Sequence, residues 1–226
     1  MLAGSPVDLS WAGDVAAVLW GWYPGQEGGH GLADVLIGDR DPGGRLPCTM
    51  PSRLEDTPAF LDVPPEPGVL RYQEGVFCGH RWYDARLVRP AFPFGHGLSY
   101  TTFAIGPPML SAEEIEPGGA VEVHVEVSNV GDRGGSEVVQ LYVADVESSV
   151  RRPPRELRGF AKVDLEPGAS TRVQFVLEMR DFAFWDRRAH GWRAEAGWFA
   201  IHTGRSSREL PGIAELRLTG DWTSGP

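Results

Sequence analysis

Between Ala120 and Asn129 apolar and polar residues change places at almost every step. In "AVEVHVEVSNVG", Val121, Val123, Val125 and Val127 fall on one side, and Glu122, His124 and Glu126 on the other. A period of two predicts a half-buried antiparallel strand. "SEVVQLYVAD" predicts a second strand, and "LRGFAKVDLEPGASTRVQFVLEMRD" two more around an "EPGAS" turn. "WFAIHTG" and "IAELRLTG" complete the series. Short strands with turn signals at about 8–12-residue spacing, over roughly a hundred residues, predict an immunoglobulin-like β-sandwich.

The first part of the chain has another texture. "VAAVLWGWY" (Val15–Tyr23) is a short apolar run closed by Pro-Gly. It predicts a strand buried on both faces, as in a parallel sheet. In the "GQEGGHGLADVLIGD" that follows, Leu32, Val35 and Leu36 recur at helical spacing, and Gly38 suits a C-terminal cap. Strand, tight loop and helix make half of a βαβ unit. "GRLPCTMP" predicts a further short strand, so this region is read as part of an α/β sandwich. Residues 51–70 carry five prolines and no clear period. A loop of that length is functional or wraps another part of the protein. Residues 71–103 are rich in aromatics and glycine, and "PFGHGLSYTTF" marks a domain end. The fold class is therefore α/β plus all-β: a partial α/β sandwich over residues 1–105, then a β-sandwich over 106–222.

Composition narrows the functions. The 226 residues carry a net charge of −10, a sign that phosphate backbones repel, so nucleic acid is not the expected partner. Lys162 is the sole lysine among 21 basic residues, which reads as genome composition bias. Cys48 and Cys78 are the two cysteines. They could form one disulfide, but two free, mostly buried thiols fit better, with no disulfide framework or zinc spacing. No apolar run nears the roughly eighteen residues of a membrane span. "MLAGSPVDLSW" has neither the basic nor the hydrophobic part of a signal peptide, which points to the cytoplasm.

The glycine-rich "GWYPGQEGGHG" invites a phosphate-binding reading. A P-loop, however, needs Lys and Ser or Thr after its last glycine, and the dinucleotide fingerprint needs a wider spacing. Close packing of helix on strand and a sharp turn after Pro24 account for the glycines better. Glu27 would sit in the first helical turn, where its charge favours the dipole. Among the acids, Glu74 in "RYQEGVF" is the weak catalytic candidate, set among aromatics beside Arg71 and Arg81. The competing reading is a buried Glu paired with an Arg. Asp34 reads as a helix-surface or cap residue, Asp84 as a turn cap, and Asp181 and Asp186 as flanks of "FAFW" in the β-sandwich. His30, His80 and His96 lie in glycine-rich stretches and read as loop hydrogen-bonders. Trp20, Trp22, Trp82 and Tyr83 could stack on sugar rings if exposed, but strand tryptophans are more often core. Arg151, Arg152 and Arg155 read as a solvated charge cluster or a contact with another domain. No cofactor or metal is expected.

"SPVDLSW", "WYPGQEGGHGLADVLIGDRDPGGRLPCTMP", "RYQEGVFCGHRWYD" and "PAFPFGHGLSYTTF" together resemble the carboxy-terminal part of glycoside hydrolase family 3, the β-glucosidase group. "SNVGDRGGSEVVQLYV", "PPRELRGFAKVDLEPGAS" and "RDFAFWD" resemble the fibronectin type III-like domain that closes many such chains. The likeness runs from about residue 4 to about residue 218. His30, His80 and Cys48 depart from it, standing where Asn or Ala, Tyr, and Val are more usual. The resemblance implies retaining hydrolysis of terminal β-linked sugars by two carboxylates about 5 Å apart. It also implies that the nucleophilic Asp lies on an amino-terminal (β/α)₈ barrel and the acid/base upstream of "PGQ", both outside this sequence. Substrate, a β-glycoside or oligosaccharide, is then expected only together with the barrel, which a separate upstream chain could supply. The alternative is a stand-alone, non-catalytic module that contacts carbohydrate or stabilises a domain.

Overall fold

The computed structural model describes residues 1–63 and 67–225. Residues 64–66, in the middle of the proline-rich loop, lie outside the described residues. The chain divides into two compact units, Met1–Tyr100 and Thr101–Pro226.

The second unit is the predicted β-sandwich. Its strands are β1 (Phe103–Ile105), β2 (Met109–Leu110), β3 (Glu114–Ile115), β4 (Ala120–Asn129), β5 (Gly135–Asp145), β6 (Glu156–Leu165), β7 (Ser170–Glu178), β8 (Phe184–Asp186), β9 (Gly191–Ala194), β10 (Gly197–Gly204), β11 (Gly212–Leu218) and β12 (Trp222–Ser224). In one sheet, β4 pairs with β7 along one edge and with β1 and β2 along the other. The other sheet runs β3-β11-β10-β5-β6, antiparallel except where β3 meets β11. A small sheet of β12, β9 and β8 completes the unit.

The alternation read from β4 is realised to the residue: Val121, Val123, Val125 and Val127 are at most 1% exposed. They join Val139, Leu141, Phe199, Ile201, Leu216 and Leu218 in one core. Burying such side chains is worth about 1.5–3 kcal/mol each, so this cluster is the main source of the unit's stability. Two Glu-Pro-Gly turns set the register at strand ends. Gly118 (φ 91°) and Gly168 (φ 75°) take the left-handed position, and Gly119 and Ala169 donate back to Glu116 and Glu166 at 2.9 and 3.0 Å. Proline first and glycine second is the type II turn requirement. Residues Phe103–Ile105 pair with Val127–Asn129, so the chain enters the sandwich before residue 106.

The first unit departs from the expected elements. Helix α1 (Gly28–Ile37) forms where the apolar spacing places it, and Gly38 (φ 87°) caps it through bonds to Asp34 and Val35. The run Val15–Tyr23, expected as a strand, is assigned no strand. The first residues run beside it: the Ala3 carbonyl accepts from Trp20 Nε1 at 3.3 Å, and Met1 donates to Leu19 at 2.8 Å and accepts from Gly21 at 2.9 Å in a backbone exchange. That is the exchange of a parallel ladder, limited to one residue, and a strand exists only as far as its partner does. "GRLPCTMP" lies antiparallel to residues 92–96, bonded at Leu46–His96 and Met50–Phe92. Pro47 and Pro93, which lack N–H groups, fall between those ties and limit regular pairing to a single bridge. A second helix, α2 (His80–Ala85), follows the proline-rich loop.

Among the described residues of this unit, the buried hydrophobic ones are Leu9, Met50 and Tyr83. By contrast Leu36 and Ile37 are each 71% exposed, Leu61 92% and Leu87 87%.

Candidate functional site

A cleft of about 470 Å³ opens in the first unit. One wall is the Pro47–Pro51 segment; the other is the start of α2 with Cys78, His80, Arg81 and Tyr83. Phe94 closes it, with the His80 ring tilted against it at 5.0 Å. Gly79, at φ 56°, turns the chain into α2 and so aims His80 and Arg81 at the cleft. Arg81 Nη2 donates to Cys78 Sγ at 3.1 Å. Burial, aided by the charge of Asp56, pushes the Tyr83 hydroxyl up to about 12. Burial also pushes the Cys48 thiol up. The described residues that line this cleft include no carboxylate.

Glu74 lies in the turn before Phe77, whose N–H donates to the Glu74 carbonyl at 3.0 Å. Its Oε2 is enclosed and has no hydrogen-bond partner among the described residues. Arg81, a partner the sequence pointed to, turns instead to Cys78. The other acids are structural. Asp181 forms a capping box with Glu178 at the short helix α3 (Met179–Phe182), and burial raises its carboxyl. Asp186 accepts from Arg188 and Ala189 in the β8–β9 turn, and those N–H groups lower it. Asp84 was expected to cap a turn but is buried within α2, at 4% exposure. Glu27 precedes α1, and its carboxylate meets His30 Nδ1 at 2.8 Å in the open. Asp34 stands in α1, and its carbonyl accepts from Gly38, Asp39 and Arg40.

His30 and His80 belong to helices, not loops, while His96 stacks on Phe92 at 5.4 Å. The aromatics are poor platforms. Trp20 and Trp22 meet edge to face at 5.6 Å and are half-buried, Trp82 lies under Arg86, and Tyr83 is 3% exposed. Gly28 packs against Pro24, where a Cβ would approach within 2.5 Å, and Gly25 takes φ 71°, as a packing role requires. Cys48 and Cys78 are free, and Cys78 is exposed rather than buried.

Two residues were undervalued by sequence. The sequence places Arg152 in a solvated charge cluster or a contact with another domain. It is buried, donating to Asp145, Glu156 and the Phe182 carbonyl at 3.1, 2.7 and 2.7 Å. The two acids in its reach, seven residues before and four after, were the available signal. Asp41 accepts from Ser99 Oγ and the Tyr100 N–H at 2.7 and 2.8 Å, fastening the end of the first unit to the loop after α1. Among the described residues there is no group of three or more His, Cys, Asp or Glu able to hold a metal ion. No described helix is long and apolar enough to cross a membrane.

Two family models match. Residues 1–100 match the glycosyl hydrolase family 3 C-terminal domain, and residues 137–207 the fibronectin type III-like domain. The chain belongs to glycoside hydrolase family 3, as the family's carboxy-terminal region. It is 45% identical over 210 residues to thermostable beta-glucosidase B of Acetivibrio thermocellus, covering 93% of this chain. It is 44% identical to a beta-glucosidase of Rhizobium radiobacter, covering 99% of this chain. Among solved structures, the beta-glucosidase of Kluyveromyces marxianus in complex with glucose superposes with a TM-score of 0.92 at 38% identity, over 99% of this chain and 27% of that one. Beta-glucosidase 3B of Thermotoga neapolitana in complex with glucose gives 0.92 at 35%, over 100% and 32%. The chain spans about 28% of the length of the two curated relatives.

Proposed function

We propose that this chain serves as the carboxy-terminal part of a retaining β-glycosidase of the β-glucosidase type, which hydrolyses terminal β-linked sugars. The carrying observation is the breadth of the match: 93% to 99% of the chain aligns with about 28% of each β-glucosidase. Retaining hydrolysis needs two carboxyl groups about 5 Å apart, one as nucleophile and one as acid/base. The cleft here is lined by thiols, an imidazole, a guanidinium and aromatic rings, a set with no such pair. On this reading both catalytic carboxylates lie on other segments, and these residues supply the neighbouring α/β and β-sandwich scaffold. A sugar-binding module finds less support, because Trp20, Trp22 and Trp82 are half-buried and Tyr83 is buried.

The purified chain is expected to leave an aryl β-glucoside unhydrolysed. Turnover by the chain alone, abolished by Glu74→Gln, would overturn the proposal and make Glu74 a catalytic residue.

A further inference from the structure

The chain's two cysteines line the same 470 Å³ cleft, although thirty positions separate them. The backbone explains how they meet. Residues 46–50 run antiparallel to 92–96, tied at Leu46–His96 and at Met50–Phe92. That register sets Cys48 opposite Phe94. The Phe94 ring lies against His80, two residues after Cys78.

The two thiols differ in a way that divides labour. Cys78 is exposed, and its sulfur accepts from the Arg81 guanidinium at 3.1 Å. A cation in contact with sulfur stabilises negative charge as it develops there. Cys48 is half-buried, and burial pushes its thiol up. It is therefore sheltered from reagents that reach Cys78. Exposed nucleophile beside a cation, with a second, quieter thiol across the same void, is the arrangement of an attacking and a resolving cysteine.

We propose that Cys78 and Cys48 form a peroxide-sensitive thiol pair. The Cys78 thiolate attacks a peroxide: an S–O bond forms, the O–O bond breaks, and the leaving hydroxide takes a proton to become water. The sulfur is oxidised by two electrons and the peroxide reduced by two. The Cys48 thiol then gives up its proton and attacks the sulfenic sulfur. The S–S bond forms, the S–O bond breaks, and a second water leaves. The product closes a loop that contains Glu74. This inference is independent of the glycosidase reading, since its readout is mass, not activity.

The test uses the full chain, reduced, freed of reductant and exposed to hydrogen peroxide in slight excess. The expected product is a monomer lighter by two hydrogens, with peptides containing Cys48 and Cys78 linked and released by reductant. Cys48→Ser should stop at a sulfenic acid on Cys78 that a dimedone probe traps, while Cys78→Ser should give neither product. Arg81→Met should slow probe labelling several-fold with the fold unchanged by circular dichroism, which a merely structural Arg81 would not do. Only intermolecular dimers, or labelling of Cys48 in preference to Cys78, would overturn the proposal.

Discussion

Arg152 Nη1 and Asp145 Oδ2 lie 3.1 Å apart with side chains only 7% and 6% exposed, at the end of β5. Nη1 also donates to the Phe182 carbonyl, and Nη2 donates to Glu156. Burial raises the Asp145 carboxyl despite the adjacent Arg152 charge, which shows the desolvation this pair bears. Removing one partner strands the other, and that costs about 3–5 kcal/mol for a buried pair. Arg152→Ala is therefore expected to lower the unfolding free energy of the β-sandwich, measured in urea, by an amount in that range. A change under about 1 kcal/mol, the size typical of a surface pair, would show the ion pair to be superficial.

Asn129 is 1% exposed and uses all its side-chain capacity. Oδ1 accepts from Thr101 and the Gly131 N–H at 2.8 and 3.1 Å, and Nδ2 donates to the carbonyls of Arg133 and Leu165 at 2.7 and 2.9 Å. Asn129→Asp keeps the shape but turns an acceptor toward two carbonyl oxygens. Leaving buried polar groups unpaired costs about 1–3 kcal/mol each. The expected outcome is a β-sandwich destabilised by at least that amount in denaturant melts at neutral pH, with partial recovery on acidification as the new carboxyl protonates. Equal stability at pH 7 would refute the network's role.

His202, on β10 between Tyr142 and Ile213, has its pKa lowered from 6.5 by burial and by the Arg155 charge. Its folded form therefore binds a proton less readily than its unfolded form. The sign follows: the contribution is complete above 6.5 and is lost as pH falls from 6.5 through the lowered folded value. Unfolding free energy measured above and below pH 6.5 should drop on acidification, and His202→Gln should flatten that part of the profile. An identical profile for the variant would contradict the assignment.

Exposed Leu36, Ile37, Leu61 and Leu87, set against buried Leu9, Met50 and Tyr83 among the described residues, predict that the first unit opens more easily than the sandwich. Limited proteolysis should cut within residues 1–100 and leave a resistant fragment beginning near Thr101. Equal protection of both units would count against this.

The sandwich was legible because its strands carry their own partners. Val121 to Val127 show their burial in the alternation itself, and each Glu-Pro-Gly turn announces a positive φ. The short strands β1, β2, β3, β8, β9 and β12 were not legible; two to four residues carry too little period, and their pairing depends on neighbours already in place. Val15–Tyr23 has the composition of a buried parallel strand, yet composition does not provide the neighbouring strands, and here, among the described residues, the backbone exchange along it is that of Met1. Asp41 and Arg152 escaped notice for a related reason. What they do is set by residues brought close by the fold: Ser99 lies 58 positions from Asp41, and the Phe182 carbonyl 30 from Arg152.

The central claim is that these residues form the carboxy-terminal part of a β-glucosidase-type enzyme. The most direct measurement replaces the matching 28% of thermostable beta-glucosidase B with this chain and follows aryl β-glucoside hydrolysis. The account predicts hydrolysis by the chimera and none by either piece alone. A soluble, folded chimera without activity, or full activity in the relative's remaining portion by itself, would contradict it.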